Sequence, residues 1–206
     1  IKSDVYERIK DFNFNKVLST YYVIQNAKDA HNISIKVFKK IIKKFCEHNI
    51  TYCLTFGTLL GFVRNKKIIP YDDDIDIEIK EADAYKLNQI DWGPDIKYMG
   101  WGNNGGIYMI FDAESYTKYG EQNGIKIDIF SEKSNDPPET IHSEVSDGYG
   151  GGYYHQSLFR GNIRNLPGIS NCVIDSNLIF PLKKDFFEDI EVFVPAEPEI
   201  IVKKLY

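Results

Sequence analysis

The reading of "TYCLTFGTLLGFVRNKKIIPYDDDIDIEI", Thr51 to Ile79, decides the fold. From Asp74 to Ile79 polar and apolar residues alternate without a break, the period of a strand with one buried face. Ile75 and Ile77 then point to the packed side, and Asp74 and Asp76 share the other. Asp72 joins them if the strand starts that early, while Asp73 points elsewhere. Like charges two residues apart on a strand lie about 6 to 7 Å from each other and repel, and partial burial raises the cost. A divalent cation offsets that cost. Aspartate is disfavoured inside strands, so acidic positions flanked by isoleucines call for a chemical reason.

Working back from this strand, "TYCLTF" is β-branched and aromatic and reads as another strand. "GTLLGFVRNKKIIP" then predicts a turn, one or two short helical turns and a loop. Gly57 lets the backbone approach a phosphate closely, and a helical turn after it can present N–H groups. Thr58 offers a hydroxyl, Arg64 a planar fork for phosphate, and Lys66 and Lys67 point charges. Working forward, "GIKIDIF", residues 124–130, alternates again and places Asp128 between Ile127 and Ile129. If this strand lies beside the first, Asp74, Asp76 and Asp128 converge. An all-carboxylate set suits Mg²⁺ or Mn²⁺ and, lacking histidine, argues against zinc. EF-hand spacing is not met. A merely solvated acidic loop is the plain alternative.

The remaining segments fill in a mixed fold. "HNISIKVFKKIIKKFCEHNI" predicts an amphipathic helix, with Ile35, Phe38, Ile42 and Phe45 on one stripe and Val37, Ile41 and Cys46 widening it. Asn32 or Ser34 caps its start, Asn49 ends it, and its lysines form a solvated face. "EADAYKLNQI" is helical. "GWGNNGGIYMIF" suggests a hairpin turning near Asn103 to Gly106. "SEKSNDPPET" and "SDGYGGGYYHQ" read as loops, "LIFPLKKDFFEDIEVFVP" as a hairpin and "EPEIIVKKLY" as a closing helix. Residues 1–30 read as an N-terminal helical extension, and 31–206 as a single domain. The expected fold class is α/β (α+β): a nucleotidyltransferase-like mixed sheet flanked by helices, because strand–Gly–Thr, then Asp-x-Asp, then a lone strand aspartate is that superfold's pattern.

Composition narrows the function. The 206 residues are 43% hydrophobic and 14% aromatic, enough for a real core, and carry a formal charge of −5, the wrong sign for a non-specific nucleic-acid binder. Cys46, Cys53 and Cys172 show no paired spacing, against a zinc site or a disulfide framework. No apolar run is long enough to span a membrane. Ile1, in place of a methionine, reads as an excised chain, so an anchor or second domain is compatible with it. The expected setting is cytoplasmic if the chain is bacterial, or otherwise anchored or Golgi.

The quoted stretch closely resembles the signature of the LicD/fukutin family of phosphotransferases, as does "FPLKKDFFEDIEVFVPAEPEIIVKKLY". Similarity runs over about 33–80, 124–130 and 178–206. The resemblance implies a nucleotidyltransferase-like core that moves a phosphorylated small alcohol, such as phosphocholine, ribitol phosphate or glycerol phosphate, from a CDP-activated donor to a glycan hydroxyl, releasing CMP. It puts the family's glycine and threonine at Gly57 and Thr58, its arginine at Arg64, its aspartate run at Asp72, Asp73, Asp74 and Asp76, and its later aspartate at Asp128. Phe56 departs from the small residue or glycine usual there, Tyr71 replaces tryptophan, and "RNKK" replaces a run ending in glycine.

On this reading Asp74, Asp76 and Asp128 are catalytic and metal-holding, with Asp72 and Asp73 supporting, and Gly57, Thr58, Arg64, Lys66 and Lys67 bind the donor. Trp101, Tyr153, Tyr154 and His155 are candidates for the acceptor groove, with packing as the alternative for each. Nucleotidylyl transfer to a sugar or small-molecule hydroxyl uses the same metal arrangement, and a non-catalytic glycan- or nucleotide-binding module is the third possibility.

Overall fold

A computed structural model describes residues 27–70, 72–100, 107–131, 156–157, 162–163 and 172–206. Helix α1 (Ala27–Glu47) leads into β1 (Tyr52–Leu54), α2 (Phe56–Asn65) and β2 (Asp74–Ile79). The short α3 (Glu81–Ala84) and a 3₁₀ turn (Tyr85–Gln89) precede β3 (Ile96–Gly100), β4 (Ile107–Asp112), α4 (Ala113–Asn123) and β5 (Lys126–Ser131). Three two-residue strands follow, β6 (Gln156–Ser157), β7 (Asn162–Ile163) and β8 (Cys172–Val173). The chain closes with α5 (Ser176–Ile179), β9 (Lys183–Phe187), β10 (Ile190–Val194) and α6 (Pro198–Leu205).

Five strands form the central mixed sheet in the order β1-β2-β5-β4-β3. Only β2 and β5 run parallel, and the other neighbours are antiparallel. The mixed α/β class is as the alternation and helical stripes require. Ile75, Ile77, Ile79, Ile127 and Ile129 are fully buried on one face of the β2–β5 pair. Helix α1 packs across β2, β4 and β5. Its buried Val37, Phe38, Ile41 and Phe45 join the same core. Each buried large side chain of this kind contributes roughly 1.5–3 kcal/mol of transfer free energy.

Local departures from the sequence expectation have local causes. Helix α1 starts at Ala27, not at Asn32 or Ser34. Alanines and an acidic Asp29 favour the extra turn, and Ser34 turns its hydroxyl back to the Ala30 carbonyl (3.1 Å) inside the helix. The helix thus spans the 30/31 position. Cys46 is exposed and Cys53 buried. Helix α2 is a full ten residues, held by buried Leu59 and Phe62, where only one or two turns are expected. Gly61 is required in it: a Cβ there would lie 2.5 Å from the Lys67 carbonyl oxygen. Helix α4 has no counterpart in the sequence reading, although Asp112 caps it by accepting from the Ser115 N–H (2.8 Å). The β6–β8 sheet is also unexpected.

The β9–β10 hairpin turns through Glu188 and Asp189, both with positive φ (48° and 60°), a pattern that favours Asn-Gly. Tertiary bonds hold it. The Glu188 N–H donates to the Lys66 carbonyl (3.0 Å), and Glu188 Oε1 accepts from the Ile68 N–H (2.9 Å). The hairpin thereby clamps the loop that leads from α2 toward Asp72. Residues 1–26 of the N-terminal extension, the 103–106 turn, residues 132–155 of the two predicted loops and Tyr71 lie outside the described residues.

Candidate metal centre

The parallel pairing of β2 and β5 fixes the site. In register, Asp74 is opposite Lys126 and Asp76 opposite Asp128. Strand alternation puts all four on the face away from the isoleucines. One carboxylate oxygen from each of Asp74, Asp76 and Asp128 lies within 4.8 Å of the other two, and Asp72, Asp73 and Asp74 form a second such group. Strand β2 begins at Asp74, so Asp72 and Asp73 precede it. Alternation does not govern them, and Asp73, expected to point elsewhere, brings its carboxylate back to Asp74 while staying exposed.

Helix α2 makes the opposing wall. The Thr55 N–H donates to the Asp76 carbonyl (3.2 Å), and the Asp76 N–H donates to Thr58 Oγ1 (2.8 Å). These two bonds tie the start of the helix to the backbone of the central aspartate. Thr58 is buried, so its hydroxyl braces Asp76 from within. A Cβ on Gly57 would lie 2.9 Å from Asp72 Oδ2 and 3.5 Å from Asp76 Oδ2. The bare glycine leaves the room those carboxylates occupy. Phe56 takes a φ of 41°, in the left-handed region that favours glycine. This accounts for the small residue expected at that position. Its ring packs edge-on against Phe130 at 4.8 Å, a contact that offsets part of the strain.

The electrostatics follow from crowding and burial. Burial pushes Asp76 well above the ordinary carboxylate range, and the charges of Asp74, Asp128 and Asp72 add to the shift. Asp72 is pushed up to about 6, by burial and then by Asp74 and Asp73. Asp128 is also raised, burial outweighing the pull of Lys126. Lys126 donates to Asp74 Oδ2 (2.9 Å) and closely to Asp128 Oδ2. Burial disfavours its ammonium, but the two carboxylates outweigh burial and hold it charged. Asp128 Oδ1 remains buried with no hydrogen-bond partner among the described residues. Surplus negative charge, converging oxygens and an open buried lone pair fit a hard divalent cation held by Asp74, Asp76 and Asp128.

The other predicted residues divide. Arg64 is exposed in the last turn of α2. Lys66 turns to the hairpin: its Nζ lies 2.7 Å from Asp185 Oδ2 and 3.5 Å from the centre of the Phe62 ring. Lys67 is exposed, and its carbonyl abuts Gly61. Trp101, Tyr153, Tyr154 and His155 lie outside the described residues. Three neighbours of the cluster escaped the sequence reading. Lys126 stands two positions before Asp128, and the same alternation would have put it on the acidic face. His31 places Nε2 3.1 Å from the Asp72 carbonyl oxygen across 41 positions, with no sequence signal. Tyr206 is exposed, yet local desolvation of its phenol raises it, Asp76 and Asp72 raise it further and Arg64 lowers it.

Comparison with known proteins gives the family. The profile of the family described as LicD/FKTN/FKRP, nucleotidyltransferase domain, matches residues 49–197. An uncharacterized protein of Rickettsia typhi (strain ATCC VR-144 / Wilmington) is 30% identical over 183 residues, which is 89% of this chain and 44% of the relative. An uncharacterized protein of Rickettsia prowazekii (strain Madrid E) is 28% identical over 195 residues, 93% of this chain and 56% of the relative. The chain therefore spans about half the length of the curated relatives it matches. Among the described residues no helix is long and apolar enough to cross a membrane.

Proposed function

The chain belongs to the LicD/FKTN/FKRP nucleotidyltransferase-domain family, and from that premise we propose that it is a metal-dependent phosphotransferase. It takes a phosphorylated small alcohol from a CDP-activated donor and passes it to a glycan hydroxyl, releasing CMP, with residues 31–206 as one catalytic unit. The observation that carries this reading is the meeting of Asp74, Asp76 and Asp128 beside the Gly57 turn.

Asp74, Asp76 and Asp128 would hold Mg²⁺ or Mn²⁺, with Asp72 and Asp73 supporting. A bound divalent ion supplies a Lewis acid against phosphoryl oxygens. Asp128 orients the acceptor hydroxyl and accepts its proton, a role suited to a carboxylate whose proton affinity burial has raised. Arg64 binds the donor's diphosphate with its planar fork. Gly57 keeps the approach to the carboxylates open, and Thr58 fixes the Asp76 backbone. Lys66 and Lys67 are weaker donor contacts on this account, since Lys66 is already paired with Asp185.

The test is CMP release from a panel of CDP-alcohols with and without Mg²⁺, for the wild type and Asp76→Asn. Metal-dependent CMP that falls at least about 100-fold in the variant supports the proposal, the scale expected when a key electrostatic group is removed. Equal rates in the two proteins reject the assignment. A nucleotide-labelled acceptor with no free CMP would identify nucleotidylyl transfer instead.

A further inference from the structure

We propose that Lys126 is a built-in counter-cation that competes with the divalent ion for Asp74 and Asp128. The inference rests on the metal centre proposed above and concerns a residue to which that reading gives no role. Register sets it up: Lys126 lies opposite Asp74 and two positions before Asp128 on the same face. Its Nζ is bonded to one oxygen of each. Those are two of the three carboxylates whose oxygens converge within 4.8 Å. Asp128 is left with its other oxygen buried and without a partner among the described residues.

An ammonium has three donors and no acceptor, so it cannot enter the coordination shell of a cation. Lys126 and a divalent ion therefore draw on the same two carboxylates and repel each other in a partly buried site. Charge arithmetic points the same way. Even with all three aspartates ionised, Lys126 cancels one of their three formal charges, so less negative charge is left to draw a divalent ion. Without the lysine the trio carries −3. The ammonium thus steadies the metal-free cluster, where like charges would otherwise spread the β2–β5 face, and weakens the hold on metal. Metal would bind most firmly when a donor diphosphate supplies further oxygens.

These two effects have opposite signs, which separates this role from simple packing. Calorimetric titration with Mn²⁺ in the absence of donor, on the wild type, Lys126→Met, Lys126→Arg and Asp76→Asn, reads the first. Lys126→Met is expected to bind Mn²⁺ about tenfold or more tightly than the wild type, Lys126→Arg within a few-fold of it, and Asp76→Asn weakly or not at all. Thermal melts in chelator read the second, and Lys126→Met is expected to melt lower than the wild type. If Lys126→Met binds Mn²⁺ no more tightly while Asp76→Asn loses binding, the counter-cation role is overturned and the metal centre stands. If neither the wild type nor Lys126→Met binds Mn²⁺, the metal centre itself fails and this inference with it. Should Lys126→Met be unfolded in chelator, recovery of its folded circular-dichroism signal with added Mn²⁺ supports the proposal, and no recovery overturns it.

Discussion

The two faces of the β2–β5 pair share one backbone and one register yet obey different rules. On one face Ile75, Ile77, Ile79, Ile127 and Ile129 are fully buried and join the core to which α1 contributes. On the other, Asp74, Asp76, Lys126 and Asp128 pack charge against charge beside Gly57. The apolar face gains free energy from every residue removed from water. The acidic face is costly: its carboxylates are raised by burial and by one another. A fold keeps such a cost where a ligand offsets it. On the proposed reading, stability and chemistry are divided across the thickness of one sheet.

Adjacent substitutions should separate the two faces. Asp76→Asn should leave the far-ultraviolet spectrum unchanged and lower metal-dependent turnover by about 100-fold or more. A variant that unfolds instead would show that Asp76 is structural. Ile77→Ala, one residue away, should destabilise the fold by about 2–5 kcal/mol in a denaturant titration, with turnover per folded molecule nearly unchanged. A specific loss of activity in a stable Ile77→Ala protein would break the division. Gly57→Ala comes next in size. Its methyl would press on Asp72 Oδ2 at 2.9 Å, so metal affinity should fall about tenfold while the melting temperature in chelator moves little. Unaltered Mn²⁺ affinity would remove Gly57 from the site.

The smallest expected effect is on pH. Asp72 is raised to about 6 in the fold, above the roughly 3.9 of an unfolded chain. Between those values the folded state holds the proton that the unfolded state has released. Stability in chelator should therefore fall as pH rises from about 4 through about 6. Asp76 and Asp128 shift in the same direction. Asp72→Asn should flatten the slope, by a few degrees of melting temperature at most. A melting temperature that rises over this interval would contradict the excess negative charge assigned to the cluster.

Legibility followed the range of the forces involved. Alternation is local, so strand β2 runs from Asp74 to Ile79 as the pattern predicts, and Asp128 falls on a strand between buried isoleucines. Lys126 was equally local but had no meaning until Asp74 stood opposite it. In the sequence Lys66 and Arg64 look alike as candidate phosphate-binding cations. The difference lies 119 positions away, where Asp185 takes Lys66 into an ion pair. Glu188 and Asp189 in left-handed conformations carry no turn signature, because backbone and side-chain bonds to residues 66 and 68 hold them there.

Periodicity and residue chemistry were enough to say that this chain carries an isoleucine-backed sheet, three strand-borne aspartates and a glycine between two strands ahead of them, since each depends on neighbours a few positions apart. Which oxygens converge, which lysine shares them and which stays with the hairpin depended on β5 adding parallel to β2 and on the hairpin closing over the loop after α2. Those are pairings between distant segments. Their free energy comes from joint burial and hydrogen bonding, and no local pattern encodes it.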